Sequence, residues 1–335
     1  MTEKRIVLSG LRPTGRVHLG NYFGAVKNWV DLQNSGEYRC FFFVADLHAL
    51  TTDYADTAAL AANTREAVLD WLAVGHDPKR STIFLQSRVP QHAELSLYFS
   101  MITPLGWLER VPTYKDQIEQ LRSKDLATYG FLGYPVLQTA DIAIYRANLV
   151  PVGEDQASHL EICREIVRRF NGLYGDLFPE PKALFTPTPK VNGIDGRKMS
   201  KSYGNTIGIT EAADTVSEKV MAMVTDPARV RRSDPGNPDN CNLFPFHVLY
   251  SPAEEVKIVD VECRTAARGC VDCKKHLIRN LNAALEPFRQ KRAELVGASK
   301  DVVREVLHEG DSAARVAAEA TMEKVRAAVK LSPEP

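Results

Sequence analysis

Short apolar runs recur along the first half of the chain, each ending in a polar, loop-like segment. Ile6-Val7-Leu8-Ser9 leads into Gly10-Leu11-Arg12-Pro13-Thr14-Gly15, Cys40-Phe41-Phe42-Phe43-Val44-Ala45 leads into Asp46-Leu47-His48, and Thr82-Ile83-Phe84-Leu85-Gln86 precedes Ser87. Runs of this length predict buried strands, whereas Thr57 to Val74 carries apolar residues at three- and four-residue spacing and predicts a helix. Strands alternating with helices imply βαβ units around a parallel sheet, whose ligand sites lie at the carboxyl ends of the strands. From about Thr210 the pattern changes. Val216 to Val224 reads as a helix, Pro227, Pro235, Gly236 and Pro238 mark loops around Asn240-Cys241, and Lys274 to Leu331 is helical with no strand candidate. The expected fold is a Rossmann-like, doubly wound α/β nucleotide-binding domain over residues 1–197. A loop at 198–202 joins it to a helical domain over 203–295, and C-terminal helices over 296–335 are expected to pack back on the first domain.

Composition alters this picture in two places. Lys and Arg number 42, as do Asp and Glu, so the whole-chain field offers nucleic acid nothing and only a local basic patch can serve. No window reaches the roughly 18 apolar residues of a membrane span, and the N-terminus runs straight into a strand, so a cytoplasmic protein with no membrane partner is expected. Among six cysteines, Cys40 and Cys163 sit in apolar segments as core residues. The spacing Cys241-x21-Cys263-x6-Cys270-x2-Cys273 lies in a polar stretch; in a reducing compartment such a group points to metal rather than disulfides. Four thiolates suit tetrahedral zinc or a [4Fe–4S] cluster. Zinc ribbons pair two Cys-x-x-Cys knuckles and one is present, so zinc, iron–sulfur and unligated thiols all stay open.

Two motifs suit phosphate. Pro13-Thr14-Gly15-Arg16-Val17-His18-Leu19-Gly20-Asn21 follows the first strand and opens a helix, where free backbone N–H groups favour an anion. Gly20 leaves room for a flat base, and His18 and Asn21, a turn apart, can donate to phosphate oxygens; a His18 that merely caps the helix is the bland alternative. Gly196-Arg197-Lys198-Met199-Ser200-Lys201-Ser202 places two lysines beside small hydroxyl residues, a positive clamp for a polyphosphate. A given pentapeptide arises by chance in such a chain at odds on the order of one in ten thousand. In Tyr134-Pro135-Val136-Leu137-Gln138-Thr139-Ala140-Asp141-Ile142, the polar residues Tyr134, Gln138 and Asp141 share one face of an apolar helix. Buried, they need partners, either one another or a ligand.

His18-Leu19-Gly20-Asn21 resembles the HIGH motif of the class I aminoacyl-tRNA synthetases, and Lys198 to Ser202 reads KMSKS letter for letter. Their order and separation resemble the tyrosyl/tryptophanyl branch, and the likeness runs from Leu8 to the C-terminal helices. The VPVGEDQ run from Val150 to Gln156 resembles the tryptophan-specific members, whereas a Tyr…Gln…Asp trio also suits a tyrosine pocket. The resemblance implies catalytic roles for His18, Asn21, Lys115, Lys198 and Lys201. ATP would meet Arg12, Pro13, Thr14, Gly20, Gly153, Glu154, Asp155, Val191, Met199, Ser200 and Ser202 in addition to His18, Asn21, Lys198 and Lys201. The amino acid would meet Leu8, His48, Tyr134, Gln138, Asp141, Val150, Val152 and Gln156, with Asp141 accepting the indole N–H. Arg12 departs from the pattern, since glutamine is frequent there, and so does Gln138, where many tryptophan enzymes carry methionine.

Some family members bind a [4Fe–4S] cluster through C-x22-C-x6-C-x2-C, one residue longer in the first gap than Cys241, Cys263, Cys270 and Cys273. Around these stand Arg229, Arg231, Arg232, Arg264, Arg268, Lys274, Lys275, His276 and Arg279, a density that suits RNA phosphates or a solvated face. The resemblance implies ATP and Mg²⁺, L-tryptophan, tRNA(Trp) read through its anticodon by the helical half, and a homodimer with its interface on the nucleotide-binding half. The rivals are a tyrosyl enzyme, a small-molecule nucleotidyltransferase and an RNA-binding relative that no longer charges tRNA.

Overall fold

The computed structural model describes residues 4–111, 126–153, 157–185 and 191–331. Strands β1 (Ile6–Leu11), β2 (Arg39–Val44), β3 (Ser81–Leu85), β4 (Leu149–Val152) and β5 (Lys182–Phe185) form one sheet in the order β3-β2-β1-β4-β5, and every pair is parallel. The chain winds outward from β1 to β3, then crosses back to lay β4 on the other side of β1. That reversal opens a crevice between the carboxyl ends of β1 and β4, the usual ligand position in such sheets.

Successive strand side chains point to opposite faces, and this alternation builds two cores. Val7, Cys40, Phe42, Val44 and Ile83 join Trp29 and Trp71 on one face. Leu8, Phe41, Phe43 and Phe84 join Phe99, Tyr145 and Phe170 on the other. Because both faces are covered, β2 is buried from Cys40 to Val44, the continuous apolar run expected of a parallel sheet.

The helices are α1 (Leu19–Asn21), α2 (Lys27–Ser35), α3 (Asp46–Asp53), α4 (Leu60–Ala73), α5 (Gln91–Ile102), α6 (Leu105–Leu108), α7 (Tyr129–Leu132), α8 (Tyr134–Ile144) and α9 (Ala157–Tyr174). Beyond the sheet follow α10 (Ala213–Ala222), α11 (Phe244–Tyr250), α12 (Ala253–Arg264), α13 (Cys270–Val296) and α14 (Val302–Ala328). The helix expected from Thr57 begins at Leu60, because Thr57 to Ala59 form a preceding turn. The helix expected over Val216 to Val224 spans Ala213–Ala222 and stops where Met223 adopts ψ 140°. The continuous helical tail divides at Gly297, with α14 capped by the Asp301 carboxylate on the Arg304 N–H. Among the described residues no helix is long and apolar enough to cross a membrane.

Helix α14 returns to the sheet and lies on its β3 edge. Asp311 Oδ1 accepts the Leu85 N–H at 2.9 Å, and Arg326 binds Glu94 of α5 with both Nε (2.8 Å) and Nη2 (2.6 Å). An open strand edge exposes unpaired N–H and C=O groups; here a helix covers it and supplies an acceptor.

Candidate active site

The crevice between β1 and β4 holds a cavity of about 420 Å³. Leu8, Arg12, His48, Tyr134, Gln138, Asp141, Val150, Val152 and Gly153 all line it, bringing together residues from β1, α3, α8 and β4. Gly10 forms part of its floor: a Cβ there would sit 2.5 Å from the Phe43 ring, so only glycine lets the ring lie across β1.

Asp141 is the polar centre. Its side chain is 1% exposed, and its oxygens meet three protein groups. Gln86 Nε2 donates to Oδ1 at 2.8 Å, His92 Nδ1 lies 2.6 Å from the same atom, and His48 Nε2 lies 2.8 Å from Oδ2. Tyr145 Oη lies 2.8 Å from His92 Nε2, so the imidazole bridges the carboxylate and the phenol. Burial pushes the Asp141 carboxyl up, but His48 and His92 outweigh it and hold it below its ordinary value. A carboxylate has about four acceptor sites; three meet protein groups, and Asp141 lines the cavity. Gln86, His92 and Tyr145 escaped sequence reading because they come from distant segments with no motif of their own. His159, whose Nε2 lies 3.0 Å from Tyr134 Oη, escaped for the same reason.

At the other end, His18 is the N-cap of α1, and its Nδ1 accepts the Asn21 N–H at 3.2 Å. The capping role and a phosphate role are compatible: with Nδ1 accepting, the proton sits on Nε2. Burial, aided by the Lys201 charge, brings the His18 pKa down to about 4, so the ring is a neutral donor at neutral pH. Gly20 packs against this ring, a Cβ there lying 3.0 Å from it, and its N–H points at Met199 Sδ, 3.3 Å away. Thus the two motifs, 179 residues apart in that contact, meet directly.

Lys201 reaches over the first turn and donates to the Thr14 carbonyl. Burial, only partly opposed by the Asp70 charge, brings its pKa down to about 8. Lys198 is exposed and Met199 buried. Asn205, at 2% exposure, shapes this loop: Oδ1 accepts the Ser200 N–H at 2.8 Å, and Nδ2 donates to the Lys198 carbonyl at 3.1 Å and Asp195 at 2.8 Å. Ser200 and Ser202 hydroxyls bond each other at 2.8 Å, and Val191 packs on the core. Arg12 is held on the cavity wall by Thr52 Oγ1 (2.5 Å) and Asp53 Oδ2 (2.8 Å), while Pro13 and Thr14 do not line the cavity and the Thr14 carbonyl meets Lys201. Lys115, Glu154, Asp155 and Gln156 lie outside the described residues.

The four clustered cysteines draw near one another. Burial pushes the Cys273 thiol up to about 12, and the Cys241, Cys263 and Cys270 thiols all act on it electrostatically. His247 Nε2 lies 3.3 Å from Cys273 Sγ, and Arg229 Nη1 lies 3.9 Å from Cys270 Sγ. Among the described residues no three His, Cys, Asp or Glu side chains are arranged to hold a metal ion. The basic patch is thinner than its sequence density implies. Arg264 is engaged by Asp239 and Asp260, and Arg268 by Glu262. Arg231, Arg232, Lys275 and Arg279 are exposed. Cys40 and Cys163 are core residues, as their apolar surroundings predict.

A switch-point cavity with a buried anionic acceptor, flanked by two motif loops that clasp each other, matches known proteins over nearly the whole chain. The profile of the class I tRNA synthetases (W and Y) matches residues 1–286, and the chain belongs to that family. The tryptophan–tRNA ligase of Thermotoga maritima is 52% identical over 97% of this chain and 99% of its own length, and that of Aquifex aeolicus is 45% identical with the same coverage. The crystal structure of tryptophanyl-tRNA synthetase from Campylobacter jejuni complexed with ADP and tryptophan superposes with a TM-score of 0.87 at 36% identity, covering 97% of this chain and 99% of that one. The chain functions as a tryptophan–tRNA ligase, which uses ATP to join L-tryptophan to tRNA. Its amino acid is therefore tryptophan rather than tyrosine, and it is a charging enzyme rather than a silent relative.

Proposed function

We propose that tryptophan lies in the 420 Å³ cavity with its indole N–H on the Asp141 carboxylate, and that ATP lies along the first turn beneath Lys201. The observation that carries this reading is the contact of Lys201 with the Thr14 carbonyl, which sets a cation over the turn that opens into the same crevice. Val150 and Val152 wall the indole; Tyr134 and Gln138 face its polar end. The tryptophan carboxylate attacks the α-phosphorus, the bond to the β-phosphate oxygen breaks, and tryptophanyl-adenylate and pyrophosphate result. The nucleophile is already ionised, so catalysis is placement plus neutralisation of charge on the transferring group. His18 Nε2–H and the α1 backbone N–H groups hold phosphate oxygens, and Lys198 and Lys201 offset the charge of departing pyrophosphate. Mg²⁺, when bound, shares that charge through phosphate oxygens. The 3′-terminal ribose hydroxyl of the tRNA then takes the aminoacyl group. ATP–pyrophosphate exchange dependent on tryptophan and indifferent to tyrosine is the expected outcome; exchange driven by tyrosine sinks this pocket assignment.

Lys201 supports two expectations. Lys201→Ala raises the barrier to adenylate formation by about 3 kcal/mol with little change in tryptophan binding. In the parent enzyme, kcat/KM for ATP falls as pH rises through about 8, because the free enzyme loses the lysine charge there. Since kcat/KM reports free-enzyme groups, Lys201→Arg, which keeps its charge, removes that alkaline limb. A limb that persists unchanged in the arginine variant assigns it to another group.

The finer roles are proposals of the same kind. Cys241, Cys263, Cys270 and Cys273 would hold a [4Fe–4S] cluster as a structural staple for an anticodon-reading face that includes Arg231, Arg232, Lys275 and Arg279. Four partly buried thiols whose charges act on one another, with Gly236 lacking the Cβ that would stand 2.7 Å from Cys263 Sγ and an arginine alongside, support that reading. Protein purified without oxygen should be brown and bleach on oxidation, whereas a colourless protein with stoichiometric zinc decides for zinc. A homodimer on the nucleotide-binding half is supported by the apolar face of Leu97, Met101 and Leu105, exposed at 55%, 71% and 60%. Residues 1–197, 203–295 and 296–335 are the proposed units.

A further inference from the structure

Asp70 lies inside α4, is 0% exposed and lines no part of the cavity, though its charge reaches Lys201. Its carboxylate nevertheless gathers three separate parts of the chain. Oδ2 accepts the Val17 N–H at 2.7 Å; Oδ1 accepts the Thr210 hydroxyl at 2.8 Å and Arg292 Nη1 at 2.6 Å. Val17 is the residue before His18. The strip Val17-His18-Leu19 is zipped to the segment after the KMSKS loop, with Leu19 N–H on the Ile207 carbonyl (2.9 Å) and Ile209 N–H on the Val17 carbonyl (3.0 Å). Asp70 therefore grips both strands of this zipper from below. Its counter-charge, Arg292 of α13, is itself buried and reaches Glu66 Oε2 at 2.7 Å.

A buried ion pair is a poor source of stability, because desolvation offsets its attraction; what it fixes well is geometry. We propose that Asp70 is a positioning residue for adenylate formation: by holding the Val17 N–H it sets the height of His18 and the α1 amides against the ATP phosphates. Nothing else within the described residues accepts that N–H, and a displacement of the phosphate-facing groups by about 1 Å lowers turnover roughly a hundredfold. This inference rests on the reading that ATP lies on His18 and Lys201.

The test is ATP–pyrophosphate exchange with ATP and tryptophan varied separately. Asp70→Asn keeps one acceptor oxygen, which the donor-only Arg292 guanidinium requires, so its N–H₂ turns to Val17 and that N–H loses its acceptor. In the double variant D70L/R292M an apolar pair replaces the ionic one, an exchange that proteins tolerate, and the Val17 N–H is left without a partner. Both variants should show kcat/KM for ATP reduced about ten- to a hundredfold, with KM for tryptophan unchanged. T210V, which removes a bond to the same carboxylate but spares Val17, should retain parental ATP constants. Should Asp70→Asn fail to fold, D70L/R292M decides alone. Parental ATP constants in the folded variants, or an equal loss in T210V, overturn the proposal. Lys201→Ala, run in parallel, separates the two levels: if it too leaves exchange intact, the ATP placement itself is wrong.

Discussion

Asp141→Ala lowers kcat/KM for tryptophan by about 100- to 1,000-fold, while activation of an analogue with sulfur in place of the indole N–H changes far less. On the proposed placement the Asp141 carboxylate accepts the indole N–H, and a ligand without that donor leaves the contact unmade. Such sites reject the lacking analogue by powers of ten, so discrimination, more than rate, is the quantity the variant should lose. The ratio of the two kcat/KM values is the measurement, because it cancels any general loss of active protein. An unchanged ratio removes Asp141 from indole recognition. Stability should fall as well, since His48, His92 and Gln86 all lose their acceptor; breaking a buried pair costs about 3–5 kcal/mol. Because the folded carboxyl titrates below its ordinary value, its contribution is present above the unfolded pKa and is lost as pH falls through the folded one. Acid unfolding of the parent should therefore include this group, and that of Asp141→Asn should not.

Gly310→Ala destabilises the fold by about 3 kcal/mol or more, the upper end for overpacking. A Cβ at Gly310 would stand 1.7 Å from the Ile83 carbonyl oxygen and 2.7 Å from its carbon. Both are backbone atoms of β3, so no side-chain rotation relieves the clash and α14 must move off the sheet edge. That movement breaks the Asp311 bond to the Leu85 N–H, beside Gln86 of the Asp141 network. Calorimetry should show a melting point lowered by on the order of 5–10 °C. Gly172→Ala, on α9 with nothing within 4 Å of its Cβ, serves as the control and should stabilise slightly through helix propensity. Equal melting points for the two variants contradict the close packing of α14 on β3.

The chain's own order of residues determined the motif chemistry and the first three strands. Ile6–Leu11, Arg39–Val44 and Ser81–Leu85 are legible because strands buried on both faces are continuous apolar runs. His18, Gly20 and the KMSKS residues are legible because phosphate binding at a strand–helix turn is a local arrangement of neighbours. Strands β4 and β5 were not. They are four residues each, β4 carries Pro151, a residue that ordinarily argues against an interior strand, and its placement between β1 and β5 makes it one.

What folding alone decided is partnership across distance. That Asp141 would be filled by Gln86, His92 and His48, that Arg264 and Arg268 would be neutralised near the cysteines, and that Asp70 would join Val17 to Arg292 depends on which segments the sheet order brings together. A side chain's local periodicity tells which way it points from its helix or strand; the group it meets, and hence its charge state and its role, is set by packing of elements dozens to hundreds of residues apart.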